Sequence, residues 1–407
     1  MTGGSPDRRR SAPLRIGICA PYDLGRAGGV NTHIRAQAQA LRRLGHDVRV
    51  FGASSAPLAH DEVSLGGCLS LVIGDTETGF GVDPRSWWTA KRLLRPHRFD
   101  VVHMHEPLMP LPSWFVLQQA DAPVVATFHT FREQGHRWYP KYRWIFEPLM
   151  KRVRVRLAVS DAARRTVAAH FPGAYEVVPN AIDVARFADP APRPEVMRAD
   201  RRHVLYVGRL EPRKGVDRLV RAMAAARQRI PDLQLVIVGD GPDRAAIGAL
   251  ARELTVAVVL TGSVGDAQLP GFYQAADVVC SPALGDESFG LVLLEAMAAG
   301  RPIVASNIAG YAELLGPAGS ARLADADNVG SLTRELCAVL ENADLARTLG
   351  ERGAAAARRY DWDVIAKRLE AIYADAVGSG RSGRNEYGSD GENTSDASDR
   401  FERPFTR

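Results

Sequence analysis

The chain has 407 residues, of which 46% are hydrophobic and 24% are charged, so it is long enough to bury two hydrophobic cores. Its four cysteines lie far apart and match no zinc or redox spacing, which argues against a disulfide framework and a zinc site. The net charge of +5 is uneven, because residues 14–180 carry 21 Lys and Arg against 14 Asp and Glu, whereas residues 201–377 carry 20 against 22. A basic first half is compatible with nucleic acid, an anionic membrane or an anionic substrate, and charge alone does not choose among them.

Both ends of the chain differ in composition from the rest. Residues 1–13 contain arginines with no apolar run behind them, so we interpret them as a disordered tail and not as a secretory signal. Residues 378–407 are rich in Gly, Ser and charge, and we expect a second disordered tail there. No stretch reaches the roughly 20 apolar residues that a membrane span needs. We therefore expect a cytoplasmic protein whose contact with the cell membrane, if it has one, is peripheral on the cytoplasmic face.

The first half alternates between strand and helix patterns. An apolar run from Leu14 to Tyr22 ends in a Gly-rich loop, and a helical pattern follows from Val30 to Leu44. Alternation of this kind predicts a parallel, doubly wound sheet, which we assign to a first domain, residues 14–187. Its other predicted strands include His46 to Ala53, Phe99 to His105 and Ala122 to His129.

The composition changes at residues 188–200, where three prolines predict a linker. The alternating pattern then restarts, and we assign a second domain to residues 201–362 and a last helix to residues 363–377. Ligands of open parallel sheets bind at the carboxyl ends of the strands. Two such sheets that face each other therefore predict a deep cleft between the domains.

Three clusters of residues carry candidate chemistry, and the first is the loop GRAGGVNTH. Gly28 and Gly29 stand just before a predicted helix, where glycine lets the backbone approach a ligand and the helix start offers N–H groups to an anion. The glycines do not fit the dinucleotide pattern G-x-G-x-x-G. A tight strand-to-helix turn and a phosphate-binding loop both remain open from this loop alone.

The second cluster, GRLEPRKG, follows the first strand of the second domain. Arg209 stands at the end of the strand and Lys214 at the start of the next helix, so the two cations could hold a pyrophosphate. Fixed cations and helix ends stabilise a leaving diphosphate without a metal. The alternative is an ordinary solvated turn.

The third cluster, GDESFGLVLLEAMAAGRPIVAS, is the most specific of the three. Glu287 precedes a predicted helix and Glu295 lies within it among apolar residues. Eight residues of helix span about 12 Å, so the two carboxylates would address different parts of one elongated ligand. Each carboxylate can accept hydrogen bonds from sugar hydroxyls, and the helix start between them suits a phosphate. Two surface glutamates on a helix are the alternative.

In this order, the clusters resemble the GT-B fold retaining glycosyltransferases of the family that includes sucrose synthases and many bacterial lipid mannosyltransferases. The resemblance covers residues 14–377. It implies an α/β fold of two doubly wound, Rossmann-like domains that face each other across a cleft, with the acceptor in the first domain, the nucleotide sugar in the second, and the last helix crossing back. HEPLMPLPS (His105 to Ser113), VVATFHT (Val124 to Thr130) and YDW (Tyr360 to Trp362) are most similar to bacterial phosphatidyl-myo-inositol mannosyltransferases.

The resemblance also implies roles for single residues. Gly29 would contact the donor phosphate or sugar through its backbone, Arg209 and Lys214 would hold the pyrophosphate, Glu287 would bind hydroxyls of the donor sugar, and Glu295 would bind the ribose. The remaining positions of the donor site would be Phe289 and Gly290 beside the sugar, Gly239, Ser263 and Val264 along the base, and His129 facing the sugar from the first domain. From the residues alone, a core histidine remains the alternative for His129.

The mechanism implied by the resemblance is transfer with retention at the anomeric carbon. The acceptor hydroxyl would attack from the face that the phosphate leaves, and the diphosphate would take its proton. We expect no metal, no cofactor and no nucleic-acid partner. Asp325 to Asp327 resembles a metal-binding Asp-x-Asp, but we interpret it as a turn or helix cap.

A basic and aromatic stretch in the first half suits an anionic membrane. Cations beside Trp are what an interfacial helix presents to anionic lipid. A solvated face with buried aromatics is the alternative. The residues concerned are Trp87, Trp88, Lys91, Arg92 and Arg95, and RWYPKYRWIF (Arg137 to Phe146) adds a second such stretch.

The residues leave the donor and the acceptor open. GDP-mannose and a lipid such as phosphatidyl-myo-inositol are our first expectation. Another nucleotide sugar such as UDP-glucose, with a soluble or different lipid acceptor, is an alternative within the same reaction. A nucleotide-sugar epimerase on the same fold, which would release nucleotide without any acceptor, and a non-catalytic nucleotide-binding module are the others.

Overall fold

The computed structural model describes residues 12–26, 28–73, 76–95, 98–132, 135–136 and 138–382. Most of the two predicted tails, residues 1–11 and 383–407, lies outside these ranges. The described strands are β1 Arg15–Cys19, β2 Asp47–Gly52, β3 Glu62–Ser64, β4 Cys68–Ile73, β5 Thr76–Gly81, β6 Val101–His105, β7 Val124–Phe128, β8 Val153–Ala158, β9 Glu176–Val177, β10 Arg202–Val207, β11 Leu233–Val238, β12 Val258–Gly262, β13 Val278–Ser281, β14 Ile303–Ser306 and β15 Ala321–Ala324.

The described α-helices alternate with these strands, and single 3-10 turns lie at Pro212–Lys214 and Arg358–Tyr360. The helices are α1 Gly29–Arg43, α2 Ser86–Leu93, α3 Pro112–Gln119, α4 Trp138–Lys141, α5 Arg143–Met150, α6 Asp161–Ala168, α7 Val184–Ala188, α8 Val216–Ala226, α9 Arg244–Glu253, α10 Leu269–Ala275, α11 Leu291–Ala298, α12 Ala309–Leu315, α13 Val329–Leu340, α14 Ala343–Ala357 and α15 Trp362–Ser382.

The first sheet has seven strands in the order β3-β2-β1-β6-β7-β8-β9, and all its described pairings are parallel. Its central strands read as continuous apolar runs, and every residue of β6 and of β7 is buried. This is the pattern of a parallel sheet that is covered on both faces. The antiparallel hairpin β4-β5 stands apart from the sheet and was not predicted.

The second sheet has six parallel strands in the order β12-β11-β10-β13-β14-β15. Strand order reverses between β10 and β13, as it does between β1 and β6 in the first sheet. Ligands of doubly wound sheets bind at such a reversal, outside the carboxyl ends of the strands. The fold class predicted from the sequence, two Rossmann-like α/β domains, is confirmed.

Two connections between the sheets run side by side. The backbone N–H of Ile182 donates to the carbonyl of Tyr360 at 3.0 Å, and the N–H of Trp362 donates to the carbonyl of Ile182 at 3.0 Å. The carboxylate of Asp361 accepts hydrogen bonds from the N–H groups of Val184 at 3.1 Å and Asp363 at 2.8 Å. The two connections thus cross between the sheets side by side, joined by backbone hydrogen bonds and by the carboxylate of Asp361.

Helix α15 returns from this crossing and packs against α1 on the first sheet. Ile365, Leu369, Ile372 and Tyr373 form an apolar stripe at helical spacing, and all four are buried in the core of the first sheet. The helix runs on to Ser382, past the end at residue 377 that we predicted. Adding a turn to a helix that is already formed is easier than starting one, so the packed stripe carries the helix into the Gly- and Ser-rich segment.

Candidate active site

The loops that follow β10 and β13 meet where the strand order of the second sheet reverses. Lys214 lies in the loop after β10, and its Nζ donates to Oε1 of Glu287 at 2.6 Å. Arg213 donates to the same oxygen at 2.5 Å. The second and third sequence clusters therefore join in one place.

A second carboxylate extends this contact into a chain of ion pairs. Glu211 is only 1% exposed, and it pairs with Arg209 at 2.9 Å and with Arg213 at 3.1 Å. A buried carboxylate is costly unless it is paired, so Glu211 fixes both guanidinium groups. We call Arg209, Glu211, Arg213, Glu287 and Lys214 the ion-pair chain. It holds three cations and two carboxylates, which leaves a net positive charge that suits a diphosphate.

A glycine explains why the two loops can come so close. Gly215 follows Lys214 with a φ of +63°, in the left-handed region that favours glycine. A Cβ atom at this position would lie 2.3 Å from the carbonyl oxygen of Pro282, which follows β13. Any side chain would push the loops apart and separate Lys214 from Glu287.

The loop that carries Glu287 is shaped by left-handed residues on either side of it. Asp286 has a φ of +55°, and Gly290 has a φ of +91° as the residue before α11. Phe289 is buried and packs on Tyr360 with ring centroids 5.8 Å apart. No side chain caps the start of α11 and no acidic residue lies in its first turn, so its N–H groups are suited to an anion beside Glu287.

Glu295 lies within α11, and its carboxylate accepts a hydrogen bond from the hydroxyl of Tyr273 at 2.7 Å. Burial raises the pKa of Glu295 to about 7, against the opposite effect of the Tyr273 hydrogen bond. The group therefore changes charge near neutral pH. Binding of a ligand to the Glu295 carboxylate would therefore depend on pH in this range.

The ends of β11 and β12 complete the second-domain side. Gly239 has a φ of +133°, and a Cβ atom there would lie 2.0 Å from the carbonyl oxygen of Gly208, just after β10. Its N–H donates to the carbonyl of Gly262 at 2.9 Å, which ties the ends of β11 and β12 together. Ser263 is exposed and Val264 is half-buried directly after β12. These positions border the edge of the sheet where we predicted the base.

On the first-domain side, His129 follows β7 directly and its ring is hydrogen bonded to His105, with 2.7 Å between His129 Nε2 and His105 Nδ1. Its backbone N–H donates to Oε1 of Glu106 at 2.6 Å. Burial lowers the pKa of His129 to about 4, so the ring is neutral at pH 7. The residue is a partnered histidine at the edge of the core and also stands at the carboxyl end of a central strand.

The start of α1 lies close to this histidine, because His33 of α1 has its ring centroid 5.6 Å from that of His129. Gly28 and Gly29 are exposed at the start of α1, and a Cβ atom at either position would meet no atom within 4 Å. The fold itself thus leaves room for a side chain at both positions. Their lack of side chains is explained if a ligand approaches the backbone there.

Two contacts join the domains across the cleft. Arg132, three residues after His129, pairs with Asp286, one residue before Glu287, at 3.0 Å. Glu313 of α12 accepts hydrogen bonds from the N–H groups of Asp161 at 2.5 Å and Ala162 at 3.2 Å, at the start of α6. The loops that carry His129 and Glu287 are therefore brought to the same part of the cleft.

The predicted membrane stretch forms α2 and the turn after it. Trp88 is 68% exposed, and Nζ of Lys91 lies 5.8 Å from the centre of its ring. Arg92 and Arg95 are exposed as well. Trp87 differs from them, because its ring packs edge-on against Phe115 with centroids 5.4 Å apart. We call Trp88, Lys91, Arg92 and Arg95 the basic patch.

No group of three or more His, Cys, Asp and Glu side chains in the described ranges is arranged to hold a metal ion. Asp327, in the sequence that resembles Asp-x-Asp, pairs with Arg218 at 2.9 Å, and Asn328 caps the start of α13. Among the described helices, none is long and apolar enough to cross a membrane.

Two family models match the chain, one in each half. The family model for group 1 glycosyl transferases matches residues 189–356, and the model for glycosyltransferase family 4 matches residues 27–186. A phosphatidyl-myo-inositol mannosyltransferase of Mycolicibacterium smegmatis is 34% identical over 370 residues, which are 90% of this chain and 95% of that protein. The chain belongs to the group 1 glycosyltransferases.

A further relative agrees with this assignment, and a solved structure agrees with the fold. A phosphatidyl-myo-inositol mannosyltransferase of Mycobacterium tuberculosis is 36% identical over 374 residues, which are 90% of this glycosyltransferase and 98% of that protein. The solved structure of sucrose-phosphate synthase from Thermosynechococcus elongatus has a TM-score of 0.72 at 22% identity, and the match covers 90% of this chain and 100% of that one. The activity of a hexosyltransferase follows from the family.

Several residues of this glycosyltransferase site were not singled out from the sequence. Glu211 and Arg213 stand inside the GRLEPRKG cluster, and their charge was the available signal. His105 ends β6 and Glu106 follows it, and both belong to the stretch HEPLMPLPS, whose only signal was its similarity to the family. Tyr273 carries no local signal, because only the fold brings it to Glu295.

We predict that Lys214→Ala and Glu287→Ala each lower the turnover of sugar transfer by at least about tenfold, since the family resemblance implies that Lys214 contacts the leaving diphosphate and Glu287 the donor sugar. Steady-state kinetics with a saturating nucleotide sugar measures this loss. Lys367→Ala and Glu351→Ala are matched controls, because both residues are exposed on helices outside the ion-pair chain. Wild-type turnover in the first pair of variants would remove both residues from the reaction.

Proposed function

We propose that this glycosyltransferase transfers an α-mannosyl residue from GDP-mannose to an inositol phospholipid such as phosphatidyl-myo-inositol, with retention at the anomeric carbon and without a metal. The observation that carries the proposal is its likeness, along nearly the whole chain, to two phosphatidyl-myo-inositol mannosyltransferases. The geometry of the cleft and the basic patch support it independently.

The donor diphosphate would lie over the ion-pair chain. Arg209 and Lys214 would bind its oxygens, and the uncapped start of α11 would add N–H groups. As the bond to the sugar breaks, negative charge grows on the diphosphate, and the guanidinium group of Arg209, already fixed by Glu211, stabilises it without reorganising. Because a phosphate would compete with Glu287 for Lys214, donor binding would also free Glu287 to accept hydrogen bonds from sugar hydroxyls.

Transfer with retention needs the acceptor hydroxyl on the face that the diphosphate leaves. A diphosphate oxygen would accept the hydroxyl proton, so the protein would need no general base of its own. His129 fits this scheme because its low pKa keeps the ring neutral, and a neutral ring can orient a hydroxyl but adds no charge. The work of the protein would be positioning and charge stabilisation.

The acceptor side is supported by the basic patch on the first domain. A lipid acceptor must be reached at a membrane surface. An exposed Trp beside cations is suited to the headgroup region of an anionic bilayer, and each cation near such a surface contributes about 1 kcal/mol. The excess of basic residues in the first half of the chain also favours contact with an anionic membrane.

The decisive test supplies the enzyme with GDP-mannose, UDP-glucose or UDP-N-acetylglucosamine as the donor. Each donor is combined with phosphatidyl-myo-inositol vesicles or with soluble inositol 1-phosphate. The products are analysed by mass spectrometry and by NMR of the anomeric proton. We expect a mannosylated lipid in the α configuration from GDP-mannose and the vesicles. Product from another donor, or from the soluble acceptor only, would overturn the specificity. Release of nucleotide with no acceptor consumed would point instead to an epimerase.

The pKa of Glu295 gives a pH dependence with a defined sign. If the ionised carboxylate binds the ribose hydroxyls, donor affinity is full above a pH of about 7 and falls as the group takes up a proton below it. We therefore expect GDP-mannose, whose phosphate groups do not titrate near neutral pH, to bind about tenfold more weakly at pH 6 than at pH 8. Isothermal titration calorimetry measures both affinities.

Glu295→Gln is the matched variant for this prediction, because it keeps the shape of the side chain and cannot ionise. We expect its affinity to be the same at both pH values. Glu351→Gln, an exposed control, should keep the wild-type dependence. A flat profile in the wild type would show that Glu295 does not bind the donor as a carboxylate.

The membrane contact is tested by replacing Lys91, Arg92 and Arg95 together with Gln. We expect binding to vesicles that contain anionic lipid to weaken by roughly tenfold to a hundredfold, and its salt dependence to shrink, because three cations near the surface are lost. Co-sedimentation measures both. The control replaces Arg221, Arg227 and Arg252, three exposed cations of the second domain, in the same way. Equal loss in both variants would contradict a specific surface on the first domain.

A further inference from the structure

Three histidines lie in a row at the carboxyl ends of β6 and β7. His103 and His105 are two residues apart on β6, and His105 is paired in register with Thr127 of β7, two residues before His129. Since residues two apart share a face of a sheet, all three rings lie on one face. The rings stack, with centroids 4.5 Å apart for His103 and His105 and 5.0 Å apart for His105 and His129. We call these three residues the histidine ladder.

His103, at one end of the ladder, is held by hydrogen bonds to two hydroxyl groups. His103 Nε2 lies 2.7 Å from the hydroxyl of Thr127, and its Nδ1 lies 2.6 Å from the hydroxyl of Tyr373 on α15. His33 of α1 closes the outer side, because its ring stands edge-on to His105 with centroids 5.8 Å apart. Elements near both ends of the chain therefore pack against the ladder, with α15 at His103 and α1 at His105.

Every ring in this group is neutral at pH 7. Burial lowers the pKa of His103 to about 3 and that of His129 to about 4. Burial also lowers the pKa of His33 and His105 well below the usual value, and repulsion between the rings acts in the same direction. Each ring thus carries one N–H and one lone pair, so the contact between His105 and His129 has one donor and one acceptor.

The environment of His105 decides which ring donates. Its Nε2 is buried and has no hydrogen-bond partner among the residues that the structure describes. If His129 donated from its Nε2, Nδ1 of His105 would be the acceptor. The proton of His105 would then lie on its own Nε2, as a buried N–H without an acceptor. Unpaired N–H groups are among the most strongly avoided features of protein interiors. The other arrangement places the proton on Nδ1 of His105, which donates to Nε2 of His129.

We propose that His105 is a positioning residue that holds His129 as the neutral tautomer with its proton on Nδ1, so that His129 donates a hydrogen bond to a hydroxyl oxygen of the transferred sugar. The identity of that hydroxyl-bearing ligand rests on the proposed function, whereas the tautomer does not. Glu106 fixes the backbone of the same residue, since its Oε1 accepts from the N–H groups of His129 and Thr130 at 2.6 and 2.7 Å. Backbone and ring are thus set by two consecutive residues of β6 and the turn after it.

The tautomer is measured directly in the full chain without any ligand. Nitrogen-15 spectra of protein labelled at histidine distinguish a protonated Nδ1 from a protonated Nε2, and the spectrum of His129→Gln identifies the signals of His129. We expect His129 to carry its proton on Nδ1 at pH 7. A proton on Nε2 would overturn the proposal, whatever the outcome of the transfer assays.

The function of His105 is measured with a pair of variants. His105→Asn can place an amide N–H near the position of Nδ1, whereas His105→Leu fills the space without a donor. We expect His105→Leu to lose the Nδ1 tautomer of His129 and to lower kcat by roughly tenfold with little change in donor KM. We expect His105→Asn to recover most of the Nδ1 tautomer and most of the wild-type kcat. His203→Leu controls for the loss of a buried imidazole, because His203 is fully buried near the amino end of β10, opposite the carboxyl end of the strand where the ion-pair chain lies.

Two results would overturn the role of His105. One is full turnover in His105→Leu. The other is an equal loss in the Asn and Leu variants at unchanged thermal stability, which would mean that the ring shape matters and not the donor. If no donor and acceptor pair gives transfer even with the wild type, the proposed function fails, and the tautomer measurement still decides the arrangement of the ladder.

Discussion

The site depends on one contact, the pairing of Lys214 with Glu287 where the strand order of the second sheet reverses. It joins a loop that carries cations to a loop that carries a carboxylate and the start of a helix. The contact exists because Gly215 lets the two loops approach and because buried Glu211 holds the neighbouring guanidinium groups. A ligand with a diphosphate and a sugar would meet there a cation and, beside it, a carboxylate able to accept hydrogen bonds from hydroxyl groups.

The two domains contribute different electrostatics to the cleft. The second domain offers charge, in the ion-pair chain, and a carboxyl group, Glu295, whose pKa is raised to about 7. The first domain offers neutral, buried rings whose pKa values are lowered by the same cause, loss of water. A leaving diphosphate needs charge, whereas a sugar hydroxyl needs only an oriented hydrogen bond. The division therefore matches a transfer reaction in which the second domain holds the nucleotide and the first domain holds the groups that face the sugar.

Much of this was predictable from the sequence, for identifiable reasons. Continuous apolar runs that end in polar residues predicted the parallel sheets, because strands buried on both faces have this pattern. Arg209 was singled out because it stands at the end of such a run, and Lys214 and Glu287 because each stands close to the start of the helix that follows one. Local patterns could not show Tyr273 beside Glu295, or Tyr373 beside His103, since the latter pair is 270 residues apart in the chain. The hairpin β4-β5 was missed because β5 has the sequence TETGFG and no apolar run, and α15 extends beyond its apolar stripe.

The central claim is that a sugar diphosphate lies between the ion-pair chain and the start of α1. A crystal structure of the chain with GDP-mannose tests it most directly. The account predicts diphosphate oxygens within about 3 Å of Arg209 and Lys214, the sugar beside Glu287 and His129, and the backbone of Gly29 against the phosphate or sugar. A nucleotide bound elsewhere, or a diphosphate that leaves Lys214 paired with Glu287 and touches neither cation, would contradict it.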